Sequence, residues 1–500
     1  MRRYSVLVAL LLSACAGPAT LIAGEAIRSP EPPDVLLQIQ VIAGDDASPV
    51  RAAVVAGTET VTTDSTGVAS VVWPENPLDL QLSAAGFLPQ SVTVDELPED
   101  STMTVQMEPV VLHGVVLAND GRALPDATIS TGSTDTTSAV DGSFTLTRAV
   151  PGELSVSRPA WLDTTVAWDG VSDEIEIVLE PRVIRGVRIN STTAGNLDRW
   201  QDLLDVVNTT GANAIVFDAK SEDGNVPYNT SVATAHEIGA VQVLYDVEAR
   251  LADMEAAGIY KIIRVVTFQD SPMAKARPEL AVWDKDNNDI WRNHQGFAWV
   301  DPTDRNSWDY PIALAVEACE MGFDEVQFDY VRFPSDGVIS SMQFDGTYDQ
   351  QNRVATIAAF LAEARRNIAP LGCAVSADIF AAVIETQTDE GIGQMPEALA
   401  SSVDVISPMI YPTHYGSVWR GIENPGQNPL AILGGALSAG VPRLSDIGFA
   451  HYRPWLEFNP YDAPTVLAEI ALAEEYNLGW LLWDGKGITS YDPSYLPGGS

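Results

Sequence analysis

The chain has 500 residues, 68 of them acidic and 28 basic, for a formal net charge of −40. That balance excludes nucleic acid and anionic lipid surfaces as partners, because both are held by clustered lysine and arginine. A hydrophobic content of 46 % is that of a folded globular protein, and the length exceeds one ordinary core, so several domains are expected.

At the N-terminus, Arg2 and Arg3 precede an apolar run from Val6 to Leu12, and Leu12-Ser13-Ala14-Cys15 follows at once. This order resembles a bacterial lipoprotein signal, in which residues 1–14 are removed and Cys15 carries lipid. The apolar run is too short to span a bilayer as a mature helix, and no later segment supplies about twenty uninterrupted apolar residues. Gly17, Pro18, Gly24, Pro30, Pro32 and Pro33 make residues 15–33 a tether. The expectation is an extracytoplasmic protein of the bacterial cell envelope, held to its membrane by the lipid alone. The other two cysteines, Cys319 and Cys373, sit in apolar surroundings that favour two buried thiols over a disulfide.

Residues 34–181 alternate short β-branched stretches with turn residues and contain no helical period, which predicts an all-β region. It divides into a module over 34–109 and another over 110–181. One pattern occurs in both: Thr63-Asp64-Ser65-Thr66-Gly67-Val68 and Ala139-Val140-Asp141-Gly142-Ser143-Phe144 each place an Asp and Gly turn before a strand. The modules resemble the immunoglobulin-like sandwiches known as carboxypeptidase regulatory-like domains, which have no catalytic residues. As spacers or carbohydrate-contacting modules they would hold the next domain off the membrane.

From residue 182 to 500 apolar strands alternate with amphipathic helical runs. Strands are predicted at 184–190, 213–220, 260–268, 323–333, 372–380, 403–412, 445–455 and 477–485, with helical runs such as LDRWQDLLDVVNTTG and NRVATIAAFLAEARRNIAP between them. Eight strands over some three hundred residues predict an α/β fold, a (β/α)8 barrel of the TIM type. An open doubly wound sheet is the alternative, but no glycine-rich phosphate loop follows a strand.

A barrel of this kind builds its site at the C-terminal ends of its strands. Polar residues gather at those ends: Asn190, Asp218 with Lys220, Arg264 and Thr267, Asp329, Asp378, Tyr411 with His414, and Asp484. The strand period of two puts Val216, Asp218 and Lys220 on one face, and Ser376 with Asp378 on another. Asp218 and Lys220 read equally as an ion pair. In FDEVQFDYVRFP, residues 323–334, Asp329 shares a face with Gln327, while Arg332 has the opposite parity and reaches Asp329 only through a twist or bulge. Asp329 and Asp378 would stand side by side in one mouth, an arrangement suited to acid/base or nucleophilic work on a glycosidic bond. Aromatic residues crowd the same loops, among them Trp299, Tyr411, Tyr415, Trp419, Trp455 and Trp483, and flat rings suit the apolar faces of sugars.

Other chemistries fit less well. The run DKDNND at 284–289 has acidic residues at calcium-loop spacing but lacks the required glycine and the final glutamate, and a hairpin turn is expected there. His294, His414 and His451 lack zinc-ligand spacing, no G-x-S-x-G marks a serine hydrolase, and neither metal nor cofactor is expected.

Five runs in order, WVDPT at 299–303, FDEVQFDYVRFP at 323–334, VSADIF at 375–380, SPMIYPTHY at 407–415 and LLWDG at 481–485, resemble the glycosidase-like TIM barrels long known as a domain of unknown function and related to the α-amylase-like glycoside hydrolases. The resemblance implies a carbohydrate substrate. By position it carries the strand-four nucleophile onto Asp329 and the strand-five acid/base onto Asp378. The amylase pattern has an arginine two residues before the nucleophile, whereas here Arg332 follows Asp329 by three, and Asp378 stands where amylases usually have glutamate. Asp218 and Asp484 are expected to meet substrate hydroxyls, with Lys220, Arg264, Trp299, Arg332, Tyr411, His414 and Trp483 completing the binding surface. A glycan-binding barrel without turnover is the alternative. The barrel is expected to fold and act without the modules before it.

Overall fold

The computed structural model describes residues 34–74, 77–132, 134–386, 388–483 and 492–499. The signal, Cys15 and Asp484 lie outside the described residues. Two compact units are present, Met1–Pro109 and Val110–Ser500.

In the first unit, strand Leu36–Ala43 alternates buried and exposed positions and drives Leu37, Ile39, Val41 and Ala43 inward. It lies between Val68–Val72, antiparallel, and Thr102–Met107, parallel. A second sheet runs in the order Glu59–Thr62, Ala53–Ala56, Leu78–Ser83, Gln90–Val94, and side chains of both sheets share one core. The second unit opens with the same plan. Val111–Ala118 lies between antiparallel Ser143–Thr147 and parallel Glu174–Leu179, and a four-stranded sheet covers it. The repeated Asp and Gly turns have one physical basis. Asp64 and Asp141 accept backbone N–H groups two residues on. Gly67 and Gly142 adopt φ of +79° and +78°, where an added Cβ would lie 2.5 Å from the carbonyl oxygens of Val41 and Val116 respectively.

The rest of the second unit is a closed barrel of eight parallel strands, matching a TIM-type fold. These are β1 (Arg185–Arg188), β2 (Ala214–Lys220), β3 (Tyr260–Val266), β4 (Glu325–Asp329), β5 (Ala374–Phe380), β6 (Val405–Ile410), β7 (Trp455–Glu457) and β8 (Trp480–Trp483). The seventh strand comes later than its predicted span, with only His451–Tyr452 pairing ahead of it. Outside the barrel, α1 (Leu197–Thr209) buries Trp200, Leu203, Leu204 and Val207 at helical spacing, and the Asn196 side chain caps its first turn. Further helices α2 (Val247–Ala257), α3 (Asp309–Met321), α4 (Gln350–Ile368), α5 (Pro429–Gly440) and α6 (Ala463–Glu475) lie along the chain. Among the described residues no helix is long and apolar enough to cross a membrane.

One expectation is corrected by packing. Cys319, near the end of α3, and Cys373, just before β5, are joined in a disulfide rather than left as thiols, because their Cα atoms are brought to 5.9 Å. The β region over 110–181 also packs directly on the barrel. Its core cluster includes Ala374, Val405 and Phe449, and Arg158 pairs with Asp404 at 3.0 Å, both side chains fully buried. Ala374 and Val405 begin β5 and β6, so the contact covers the N-terminal end of the strands, with a hollow of about 1220 Å³ beside it.

Candidate active site

The site begins with strand alternation. Along β4, Val326 and Phe328 face outward into the helix layer, where Phe328 meets the Phe360 ring of α4 at 5.3 Å. Glu325, Gln327 and Asp329 therefore face the barrel interior. On β5, Val375, Ala377 and Ile379 face outward, which turns Ser376 and Asp378 inward. Phe328 lies opposite Ala377, so Asp329 and Asp378 stand at one level at the C-terminal ends of adjacent strands. Deeper in the barrel, Glu325 is paired with Arg453 and accepts from Ser376 at 2.5 Å. This buried polar layer supports the carboxylates from below.

Asp329 Oδ2 accepts from Arg264 Nε at 2.9 Å and Nη2 at 2.7 Å, and its Oδ1 accepts from the Tyr330 backbone N–H at 2.6 Å. The arginine on the nucleophile-position carboxylate thus comes from β3, not from Arg332. Arg264 also donates to Asp218 at 2.9 Å and to Glu222 at 2.6 Å, and Arg188 donates to Asp218 at 2.7 Å. Burial acts to raise the pKa of Glu222, but Arg264 and Arg188 outweigh it and bring the group down to about 2. Asp378, 1 % exposed, accepts from Trp455 Nε1 at 2.7 Å. Burial first, and the charge of Asp329 second, raise its pKa well above the carboxylate range. Two carboxyl groups on neighbouring strands are thereby made different, one salt-bridged and one biased to hold its proton.

Above them opens a cavity of about 450 Å³, within the roughly 300–1,000 Å³ typical of small-molecule sites. Tyr411 and Trp483 stack along one wall, with centroids 4.4 Å apart, and His414 sits edge-on to both. The loop carrying His414 is held by Thr413, whose backbone N–H and hydroxyl both donate to Glu457 at the end of β7. Met409, Tyr415, Trp419 and Phe380 also line the cavity.

The candidates named from sequence are divided by this geometry. Asp329, Asp378, Arg264, Arg332, Tyr411, His414 and Trp483 line the cavity. Asp218 lies behind it, holding Arg188 and Arg264. Lys220 leaves the group: a register shift between Asp218 and Lys220 breaks the alternation, and Lys220 is fully buried against Asp270 at 2.5 Å. The expected Asp218–Lys220 pair does not form. Trp299, 1 % exposed, is a packed residue whose ring meets Tyr330 at 5.8 Å outside the cavity lining. Asn190 is a helix cap, accepting from the Thr193 N–H. Glu222, Arg188 and Gln394 were not anticipated. Arg188 shares parity with Asn190 on the predicted strand 184–190, a signal that was present, whereas Glu222 and Gln394 come from irregular loops that no period marks.

Residues 186–488, more than half the chain, match the family described as "Putative glycosyl hydrolase domain". The chain belongs to this family. Among solved structures, the chain is similar to a hypothetical protein from Ruminiclostridium thermocellum ATCC 27405, 38 % identical over 38 % of this chain and 96 % of that one, with a TM-score of 0.36. It is also similar to the PgaB (BpsB) glycoside hydrolase domain from Bordetella bronchiseptica, 11 % identical over 61 % and 94 % of the two chains, at a TM-score of 0.48. A chitinase from Chromobacterium violaceum ATCC 12472 matches at 12 % identity over 63 % and 97 %, with a TM-score of 0.36. No curated protein matches the chain.

Proposed function

We propose that the barrel hydrolyses glycosidic bonds of an extracytoplasmic polysaccharide or envelope glycan by a retaining mechanism. The observation that carries this reading is the pair of unlike carboxyl groups at one level of the mouth, Asp329 bridged to Arg264 and Asp378 raised by burial. Adjacent strands run about 4.8 Å apart, near the roughly 5 Å carboxyl separation of retaining enzymes. Asp329 attacks the anomeric carbon as the glycosidic C–O bond breaks, and Asp378 gives its proton to the departing oxygen. Water then loses a proton to Asp378 and attacks the same carbon, releasing Asp329. Tyr411 and Trp483 supply a flat stacking surface for a sugar ring, while Arg264 holds Asp329 in place.

In this reading residues 1–14 are a lipoprotein signal, Cys15 carries the anchor, and the two immunoglobulin-like modules space the barrel from the membrane. The Cys319–Cys373 disulfide supports an oxidising compartment. A screen of soluble oligosaccharides should yield products that retain the anomeric configuration, read by NMR. On a substrate so found, Asp329→Asn and Asp378→Asn should each lower turnover by about 10²-fold or more with little change in thermal unfolding. Glycans that bind but are never cleaved by the wild-type protein would instead make the barrel a binding module.

A further inference from the structure

Arg188 and Arg264 are engaged with Asp218, Glu222 and Asp329. A third arginine in the cavity wall, Arg332, stands outside that network. It is 6 % exposed, and among the described residues no carboxylate lies within ion-pair distance of it. Its Nε and Nη1 are buried without a hydrogen-bond partner among the described residues. Three aromatic rings surround the guanidinium instead: Tyr330 at 4.3 Å, Phe380 at 4.5 Å and Trp299 at 5.5 Å from its Cζ to their centroids. Rings stabilise the charge through their faces but cannot satisfy its N–H donors. A buried donor left unmade costs about 1–3 kcal/mol, so a group of this kind calls for an acceptor.

The backbone shows how Arg332 comes to be there. Tyr330 adopts φ of +50°, a left-handed conformation uncommon for a residue with a side chain, immediately after β4 ends at Asp329. The turn cancels the strand parity that would send Arg332 away from Asp329 and delivers it to the cavity wall beside Phe380, at the end of β5. Such strain persists only where the surroundings over-determine it, and here it places a cation with no carboxylate of the described residues within ion-pair distance.

We propose that Arg332 binds a carboxylate borne by the substrate, so that the glycan is an acidic one of the uronic-acid type. The proposal rests on the glycoside hydrolase reading and narrows it. A planar guanidinium flanked by rings offers its edges, and a carboxylate meets one of them in plane with two parallel hydrogen bonds, from Nη2 together with either Nε or Nη1. Tyr411 and Trp483 then take the apolar face of a ring while Arg332 takes its acid. The formal charge of −40 opposes an anionic ligand at a distance, but screening over about 8 Å at physiological salt confines the local field to the groups at the mouth, where Arg188 and Arg264 are held against Asp218, Glu222 and Asp329 while Arg332 stands outside those pairs.

The test uses oligomers of galacturonate, alginate and hyaluronan, each beside its carboxyl-reduced form, in which the acid has become a neutral hydroxymethyl group. Binding is measured calorimetrically to the full chain carrying Asp378→Asn, which prevents turnover and keeps an oxygen for Trp455. At least one acidic oligomer should bind 10-fold or more tightly than its reduced partner. Adding Arg332→Gln should bring that ratio to about one, and Arg332→Lys should leave part of it. The ratio within one variant is insensitive to partial unfolding. Acidic and reduced forms binding equally in all three pairs, or a preference that survives Arg332→Gln, would overturn the proposal and leave the glycosidase reading standing. Binding of neither form, with no oligosaccharide cleaved by the wild-type protein, would overturn both.

Discussion

Burial is the largest influence on Asp378 and the negative charge of Asp329 the next, and together they outweigh Arg264 and the Trp455 N–H in raising its pKa. A general acid must hold its proton, so kcat/KM should fall as pH rises through this raised pKa. Asp378→Asn should remove that basic limb and should spare dinitrophenyl glycosides, whose leaving group needs no proton, relative to unactivated substrates. A basic limb that persists in the variant would assign it to another group. A second buried acid bears on stability instead. Glu469 of α6 is fully buried, neither of its oxygens has a hydrogen-bond partner among the described residues, and burial followed by the charge of Glu457 pushes it up to about 8. Between its ordinary value near 4.5 and about 8 the folded chain binds the proton that the unfolded chain has released, so stability falls as pH rises across that window. Glu469→Gln should flatten this loss, seen as a smaller drop in Tm between pH 5 and 9 than in the wild type. Asp329 and Asp378 were legible in the sequence because a polar residue on an otherwise apolar strand has few destinations. Lys220 was misplaced by one local register shift, and Glu222, two residues beyond the end of β2, has no period to mark it.

The ends of β4 and β5 are tied together by one side chain from a loop. Gln394, fully buried, donates Nε2 to the carbonyls of Asp378 at 3.0 Å and Val331 at 3.3 Å, and its Oε1 accepts from the Phe380 N–H at 2.9 Å. It is a positioning residue: it does not itself line the cavity, yet it fixes the backbone on which Asp378 and the turn to Arg332 depend. Gln394→Leu keeps the approximate volume and strands three polar groups, with an expected stability cost of about 1–3 kcal/mol for each one left unsatisfied. If the tie sets catalytic geometry, kcat per folded molecule should fall about 10-fold or more at a temperature where the variant is fully folded. A lower Tm with unchanged kcat would limit Gln394 to stability. All eight strands could be read from sequence because barrel strands are covered on both sides and form apolar runs. The seventh could not be bounded. Residues 445–450 look apolar enough for a strand, but Gly448 turns there at φ +60°, where an added Cβ would lie 2.3 Å from the Ala400 carbonyl oxygen.

At the scale of the whole molecule, the β character of residues 34–181 was legible, but the packing of residues 110–181 on the barrel was not, since nothing in a strand's period says what it packs against. Residues 34–109 form a unit with its own core. The 110–181 region instead contributes Arg158, whose Nε donates to the Pro125 carbonyl at 2.7 Å and whose Nη1 pairs with Asp404. Asp404 is shared with Arg365 at 2.6 Å and caps the start of β5 by accepting from the Val375 N–H at 2.9 Å. Burial opposes its charge, and Arg365 and Arg158 together overcome that and lower its pKa. Removing one partner of a buried pair of this kind costs about 3–5 kcal/mol, because the remaining charge stays desolvated. A fragment of residues 110–500 should therefore unfold cooperatively, with the barrel's Tm close to that in the full chain. A fragment of 182–500 would expose Ala374, Val405 and Phe449 and lose Arg158, and it should aggregate or melt at a clearly lower temperature. Arg158→Ala in the full chain separates charge from area: it should lower the barrel's Tm while leaving kcat at low temperature unchanged, since the site lies at the opposite end of the strands. Equal Tm values for 182–500 and 110–500 would show that the barrel's core is sufficient by itself and that the second module is only a spacer.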